Sequence, residues 1–172
     1  MIYNNKLSVV PITTHINLKN VHKKITVELI KKKIITLHKF YLDKLKKKPV
    51  IAVLGLNPHN AEYKKDSEEM RTIIPSIKYL KQKKYRVLGP FSADTIFLNK
   101  KKYNYDVIVG MYHDQVLAPY KALFKYDAIN ITLGLKYLRV SPDHGVATDI
   151  IKKNKANPTS LISCIKFFSK FK

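Results

Sequence analysis

Three histidines follow three short apolar runs at similar offsets: His15 after LSVVPITT, His59 after VIAVLGLNP and His113 after DVIVGMY. If those runs are parallel strands, their carboxyl ends share one edge of the sheet, the place where open α/β sheets bind ligands. The separations of 44 and 54 residues (59 − 15 and 113 − 59) are then no obstacle to convergence. Neutral imidazoles gathered on short loops make a ligand set for a divalent transition metal with positions left for substrate. A metal held in that way polarises a hydroxyl or carbonyl oxygen. The plainer reading of each histidine is a strand-end side chain bonded to a carbonyl, and the pattern leaves both readings open.

Acids and donors crowd the same places. Asp114 directly follows His113, Asp94 opens a run after GPFSA, and Asp143 and His144 sit in SPDHG. Carboxylates there suit partners of imidazole or proton carriers; for Asp94 and Asp143 an N-cap is an equal alternative. Lys121, Asn130 and Arg139 could supply donors to a phosphorylated, carboxylated substrate. For Lys121 the competing reading is a solvated lysine, since 30 of the 33 basic residues (33 − 3 arginines) are lysine. His22 and His38, among lysines, read as surface residues.

The elements that must position these groups alternate. Leu7–Ile12, Val50–Leu54, Arg86–Leu88, Asp106–Gly110 and Ala128–Leu133 read as strands, apolar enough to be covered on both faces. Thr26–Lys44 spaces Val27, Ile30, Ile34, Leu37 and Tyr41 as a helix, and Asp66–Lys83 does the same with Met70, Ile73, Ile74, Ile77 and Leu80. Asp66 followed by Glu69 has the spacing of a capping box. Further helical runs cover 93–99, 114–124, 145–153 and 159–168. Alternation of this kind predicts an α/β fold with a mostly parallel sheet flanked by helices.

Composition sets the bounds. The 172 residues fit one domain or slightly more, and 45% hydrophobic content excludes disorder. A lone Cys164 excludes a disulfide framework and a multi-cysteine zinc site and fits a reducing compartment. No apolar run approaches the roughly 18 residues of a membrane span, and the first residues lack signal-peptide features, so a cytoplasmic location is expected. The formal charge of +21 is the footprint of a nucleic-acid binder. Yet arginine, the residue of guanine and phosphate forks, is nearly absent, and abundant Ile, Asn and Tyr point to A/T-rich codons as the source of lysine. Patches such as Lys31–Lys33, Lys46–Lys48 and Lys100–Lys102 read as solvated surface.

The run YHDQVLAPYKALFKYDAINITLGLKYLRVSPDHGVATD, from Tyr112 to Asp149, resembles the C-terminal half of the 4-hydroxythreonine-4-phosphate dehydrogenases. TTHINL from Thr13, GLNPH from Gly55, the Glu68–Glu69 pair and GPFSADTIF from Gly89 match further blocks in order, so the resemblance covers nearly the whole chain. It implies a fold like that of isocitrate and isopropylmalate dehydrogenases and a homodimer with the active site at the subunit interface. It also implies oxidation of a phosphorylated small-molecule substrate by NAD or NADP, then decarboxylation to 3-amino-2-oxopropyl phosphate on the route to pyridoxal 5'-phosphate. The family's metal ligands fall on His15, His59 and His113, drawn from both subunits, for a divalent cation such as zinc, magnesium, cobalt or manganese. Its substrate-binding residues fall on Lys121, Asn130 and Arg139, and Asp94 and Asp114 match acids near the metal. No residue is identified for the nicotinamide.

Two departures accompany the resemblance. NAEYKK at 60–65 stands where the family has a glycine-rich turn, and GLK at Gly134–Lys136 replaces GLP. Residues 1–172 are read as the C-terminal, metal- and substrate-binding portion of such an enzyme, without the N-terminal half, which a separate gene could encode. A non-catalytic remnant that still binds metal, and a lysine-rich nucleic-acid-binding module, are the two other readings.

Overall fold

A computed structural model describes residues 1–145, 148–151 and 153–171. Seven strands form one sheet: β1 (Ile2–Tyr3), β2 (Ser8–Pro11), β3 (Ile51–Leu54), β4 (Val87–Phe91), β5 (Val107–Gly110), β6 (Ile129–Thr132) and β7 (Arg139–Pro142). Their order is β4-β3-β5-β2-β1-β6-β7. β4, β3, β5 and β2 are parallel, while β1 runs against both β2 and β6, and β7 against β6. Among the described residues seven α-helices accompany them: α1 (Val21–Lys24), α2 (Val27–Leu45), α3 (Ile74–Gln82), α4 (Ala93–Ile96), α5 (Lys100–Tyr103), α6 (His113–Phe124) and α7 (Thr159–Ser169).

The α/β expectation holds, and each of the five expected strands is present. β1 and β7 are additions. A two-residue strand shows no periodicity, and RVSP is half-exposed with a proline, so neither has a pattern to read. β1 has a large consequence. Because it opposes both neighbours, β6 runs in the direction of β2, and its carboxyl end reaches the edge that carries His15.

Alternation along the parallel strands divides the core between two faces. Val10, Val53, Val107 and Val109 meet α2, α3 and the turn before α3 through Ile30, Ile34, Leu37, Ile73 and Ile77. Val9, Ala52, Leu54 and Ile108 meet α6 through Val116, Leu117 and Tyr120. α2 follows its pattern closely: Thr26 caps it by accepting from the Leu29 amide at 3.1 Å, and it ends where Lys46 turns left-handed at φ 53°.

The segment expected as one helix from Asp66 to Lys83 is instead a wide π turn, Glu69–Ile73, leading into α3. Pro75 has no amide to donate and its ring crowds the preceding turn, which opens the hydrogen-bond spacing there. The expected capping box is also absent. Ser67 accepts from the Met70 amide at 3.3 Å, and Glu69 is fully buried and turned toward the loop after β3. The helix expected over 145–153 is a short 3-10 turn at Thr148–Ile150, with 146, 147 and 152 outside the described residues.

The loop after β3 keeps the shape of a glycine turn without the glycines. His59, Asn60, Ala61, Glu62 and Tyr63 all have φ between 49° and 57°. Left-handed backbone costs an L-residue roughly 1–2 kcal/mol, and asparagine is the one of these types that tolerates it. Ala61→Gly should therefore raise unfolding stability by about 0.5–1 kcal/mol, the relief of strain less the extra chain entropy of glycine. Ala61→Gly with Tyr63→Gly should raise it further. Urea midpoints measure this, and an unchanged or lowered midpoint would show that the turn is not left-handed in solution.

Candidate active site

The parallel pairing continues past the ends of the strands. Ile12 and Thr13 donate backbone amides to the carbonyls of Gly110 and Met111 at 2.8 and 3.1 Å, and Gly55 donates to Phe91 at 3.0 Å. The Thr13 hydroxyl adds a second bond to the Met111 carbonyl at 2.8 Å. The chains therefore leave β2 and β5 side by side. Two residues further on, the rings of His15 and His113 stand with centroids 5.6 Å apart.

Each histidine is held differently. His15 sits at φ 52°, on a backbone bend that turns it off the strand line. His113 opens α6, and its Nδ1 lies 2.6 Å from Asp114 Oδ1. With the carboxylate accepting from Nδ1–H, the Nε2 lone pair is left for a ligand. Two residues on from His113, Gln115 accepts from the Met111 amide at 2.6 Å and donates to the Gly55 carbonyl at 2.8 Å, bridging the ends of β5 and β3.

Glu69 performs the matching task at β3. Its Oε1 accepts the amides of Leu56 and Asn57 at 2.7 and 2.8 Å, and Oε2 accepts the Asn57 side chain at 3.0 Å. Burial alone would push this carboxyl up; the hydrogen bonds from Asn57, Leu56 and its own amide outweigh that and hold it below the ordinary carboxylate value. Neither Gln115 nor Glu69 was assigned this task from sequence; Glu69 stood out only through the D-x-x-E spacing and as part of the Glu68–Glu69 pair.

A cavity of about 600 Å³ opens beside the histidine pair, between α2 and the β2 and β6 strand ends. His15, His113, Leu117 and Asn130 line it, together with Lys32, Lys33 and Thr36 of α2 and Thr132–Gly134 of the far wall. Among the described residues no Asp or Glu lines it. The Met1 amine also lines it, donating to the Ile131 carbonyl at 2.9 Å; burial first, and then the nearby Lys33 charge, lower its pKa to about 5.

The remaining sequence-derived residues are distributed around this cavity rather than in it. Arg139 pairs in register with Thr132 and donates to its hydroxyl at 2.8 Å, at the rim. Lys121 lies two turns along α6 from His113, in an ion pair with Asp143 at 3.1 Å. Asp94 is exposed in the first turn of α4, at the outer strand of the same edge. His59 stands exposed on the left-handed turn, outside the cavity lining. Two imidazoles and an amide suit a divalent transition cation but fall short of the three protein ligands of a catalytic site. Among the described residues no group of three or more His, Cys, Asp or Glu comes together to hold a metal.

Residues 1–168 match the family described as pyridoxal phosphate biosynthetic protein PdxA. The chain is 44% identical over 167 residues to a 4-hydroxythreonine-4-phosphate dehydrogenase of Aquifex aeolicus, covering 96% of this chain and 52% of that protein. It is 41% identical over 176 residues to one of Bradyrhizobium diazoefficiens, covering 99% and 50%. The crystal structure of a 4-hydroxythreonine-4-phosphate dehydrogenase from Klebsiella pneumoniae superposes with a TM-score of 0.82 at 38% identity, over 95% of this chain and 50% of that one. The chain thus spans about half the length of the curated relatives it matches.

Glu69 offers a direct check on how the β3 loop is held. Glu69→Gln should cost about 1–3 kcal/mol near neutral pH, because charged acceptors of buried amides are replaced by a neutral one. The carboxyl's folded pKa lies below its unfolded value, so its stabilisation is present above about pH 4.5 and is lost as pH falls through the folded value. Urea midpoints of the two proteins should converge as the pH drops below about 4.5. A gap independent of pH would rule out this role for the ionised carboxylate.

Proposed function

The chain belongs to the family of the pyridoxal phosphate biosynthetic protein PdxA, and from that premise we propose that it supplies the metal- and substrate-binding half of a dehydrogenase. The reaction is oxidation of 4-hydroxythreonine 4-phosphate by NAD or NADP, followed by decarboxylation to 3-amino-2-oxopropyl phosphate. The observation that carries this reading is the His15–His113 pair, 5.6 Å apart at the mouth of a cavity lined also by Asn130.

In this reading His15 and His113 hold a divalent cation through ring nitrogens, and Asp114 fixes the tautomer and orientation of His113. His59 lies outside the cavity of its own chain, so it completes the ligand set of a second copy, and the working form is a homodimer. The cation, when bound, supplies Lewis acidity that lowers the pKa of the substrate hydroxyl and offsets negative charge on its oxygen. A nicotinamide, when bound, would supply the hydride acceptor for C3; the hydroxyl proton would pass to a carboxylate of this edge, and the carbon that loses carbon dioxide would take up a proton to complete the product. Asp94 and Asp114 are the carboxylates stationed at this edge for that proton. Asn130 and Arg139 orient the substrate, and Lys121 joins them by exchanging Asp143 for the substrate anion. A segment equivalent to the other half of the relatives supplies the remaining contacts, in the cytoplasm. Among the described residues no helix is long and apolar enough to cross a membrane.

Calorimetric titration with zinc tests the ligand set. His15→Ala, His113→Ala and His59→Ala should each weaken binding at least tenfold, and Asp114→Asn by about 10–100-fold. Equal retention of zinc by His113→Ala rejects the site. NADH formation from 4-hydroxythreonine 4-phosphate, with and without the complementary half, then separates the enzyme from a non-catalytic metal-binding remnant, which would hold zinc and form no NADH in either case.

A further inference from the structure

One face of α2 turns charge toward the cavity. Leu29, Lys32, Lys33 and Thr36, at i, i+3, i+4 and i+7, all line it. Lys33 is half-buried and donates one hydrogen bond, 3.3 Å long, to the carbonyl of Pro11, four residues before His15. An ammonium group has three donors, so two remain. Burial lowers its pKa below the ordinary lysine value. The other lysine of the proposed site, Lys121, is already paired with Asp143.

An uncompensated cation held out of water favours an anion that enters beside it. Thr36 stands one turn from Lys33 on the same face, and Thr132 faces them with Arg139 bonded to its hydroxyl. The Thr36 hydroxyl donates to the Lys32 carbonyl at 2.9 Å, whereas the Thr132 hydroxyl accepts from Arg139 and keeps its own hydrogen; ammonium, the Thr132 hydroxyl and guanidinium thus stand around one space, the chemistry that holds a phosphate dianion. A cavity of about 600 Å³ also exceeds what a four-carbon phosphomonoester needs.

We propose that Lys33, aided by Lys32 and by Thr132 across the cavity, forms a phosphate subsite on the α2 wall, holding the phosphate end of the substrate while its other end lies toward His15 and His113. This placement of the substrate rests on the reading given under Proposed function; the binding of phosphate needs neither metal nor nicotinamide.

Titration of the whole chain with inorganic phosphate tests it. Lys33→Met, which keeps the apolar stem, should weaken phosphate binding about tenfold or more, and Lys33→Arg should keep most of it. Lys44→Met should leave it unchanged, because Lys44 lines a different pocket near Asp106, with Lys6, Lys47 and Lys170. O-phosphoserine should compete with phosphate in the unmutated chain. Failure of the unmutated chain to bind phosphate overturns the proposal, as does equal binding by Lys33→Met. An equal loss in Lys44→Met would reduce the effect to general attraction by a protein of charge +21. If O-phosphoserine does not compete, the site is not one for phosphomonoesters. Phosphate binding that depends on Lys33, together with absent zinc binding, would leave the subsite standing and remove the dehydrogenase reading instead.

Discussion

Where a parallel strand leaves its sheet, the backbone amides and carbonyls just beyond the last pair still need partners, because that edge is partly closed off from water. The histidine loops are placed by the way three side chains meet this need. Thr13 bonds the Met111 carbonyl, Gln115 joins the Met111 amide to the Gly55 carbonyl, and Glu69 accepts the amides of Leu56 and Asn57. Leaving one such buried group unpaired costs about 1–3 kcal/mol, so the loops have one satisfied arrangement and few near rivals. The strand-end glycines belong to the same device. A Cβ at Gly55 would collide with Asn60 and crowd Glu69, and one at Gly110 would collide with Val116 and crowd Gln115. The histidines are therefore positioned by polar groups that do no chemistry themselves.

A second constraint gives the cavity its far wall. β1 has only two residues, yet it bonds to β2 on one side and β6 on the other. Met1 and Ile131 extend that ladder by exchanging hydrogen bonds at 2.8 and 2.9 Å. Reversal of direction at β1 restores β6 to the sense of β2, so Asn130, Thr132 and, across the hairpin, Arg139 approach the edge where His15 stands. With β1 absent and β6 paired directly against β2 as an antiparallel neighbour, these groups would lie toward the opposite edge.

Legibility in the sequence follows the range of the interaction. The apolar runs of β2, β3 and β5 and the spacing of Ile30, Ile34, Leu37 and Tyr41 are local signals, and the structure keeps them. The shared edge of His15 and His113 follows from parallel pairing alone and was equally readable. Glu69 was not, because D-x-x-E looks the same whether the glutamate caps its own helix or crosses to the β3 loop. Lys33 was hidden in a run of three lysines, where only the docking of α2 decides which one meets solvent. The left-handed turn had lost its usual signal, since His59 to Tyr63 contain no glycine. His59 lies outside the cavity that His15 and His113 line, and no local pattern marks that separation, since all three follow apolar runs at similar offsets.

The left-handed turn and Lys33 share a physical character. The turn of His59–Tyr63 holds five non-glycine residues left-handed, and Lys33 holds a charge in a half-buried place with no carboxylate among its described cavity neighbours. Both lower the stability of the unliganded chain. Elsewhere the lysines of this protein are mostly exposed, where an extra positive charge costs little and codon composition is a sufficient cause. That explanation does not extend to Lys33, where desolvation makes the same residue type expensive. Local costs of this kind persist where the surrounding structure over-determines them and are recovered on binding. Their presence at the one edge that also carries the histidine pair separates Lys33 from the rest of a +21 surface.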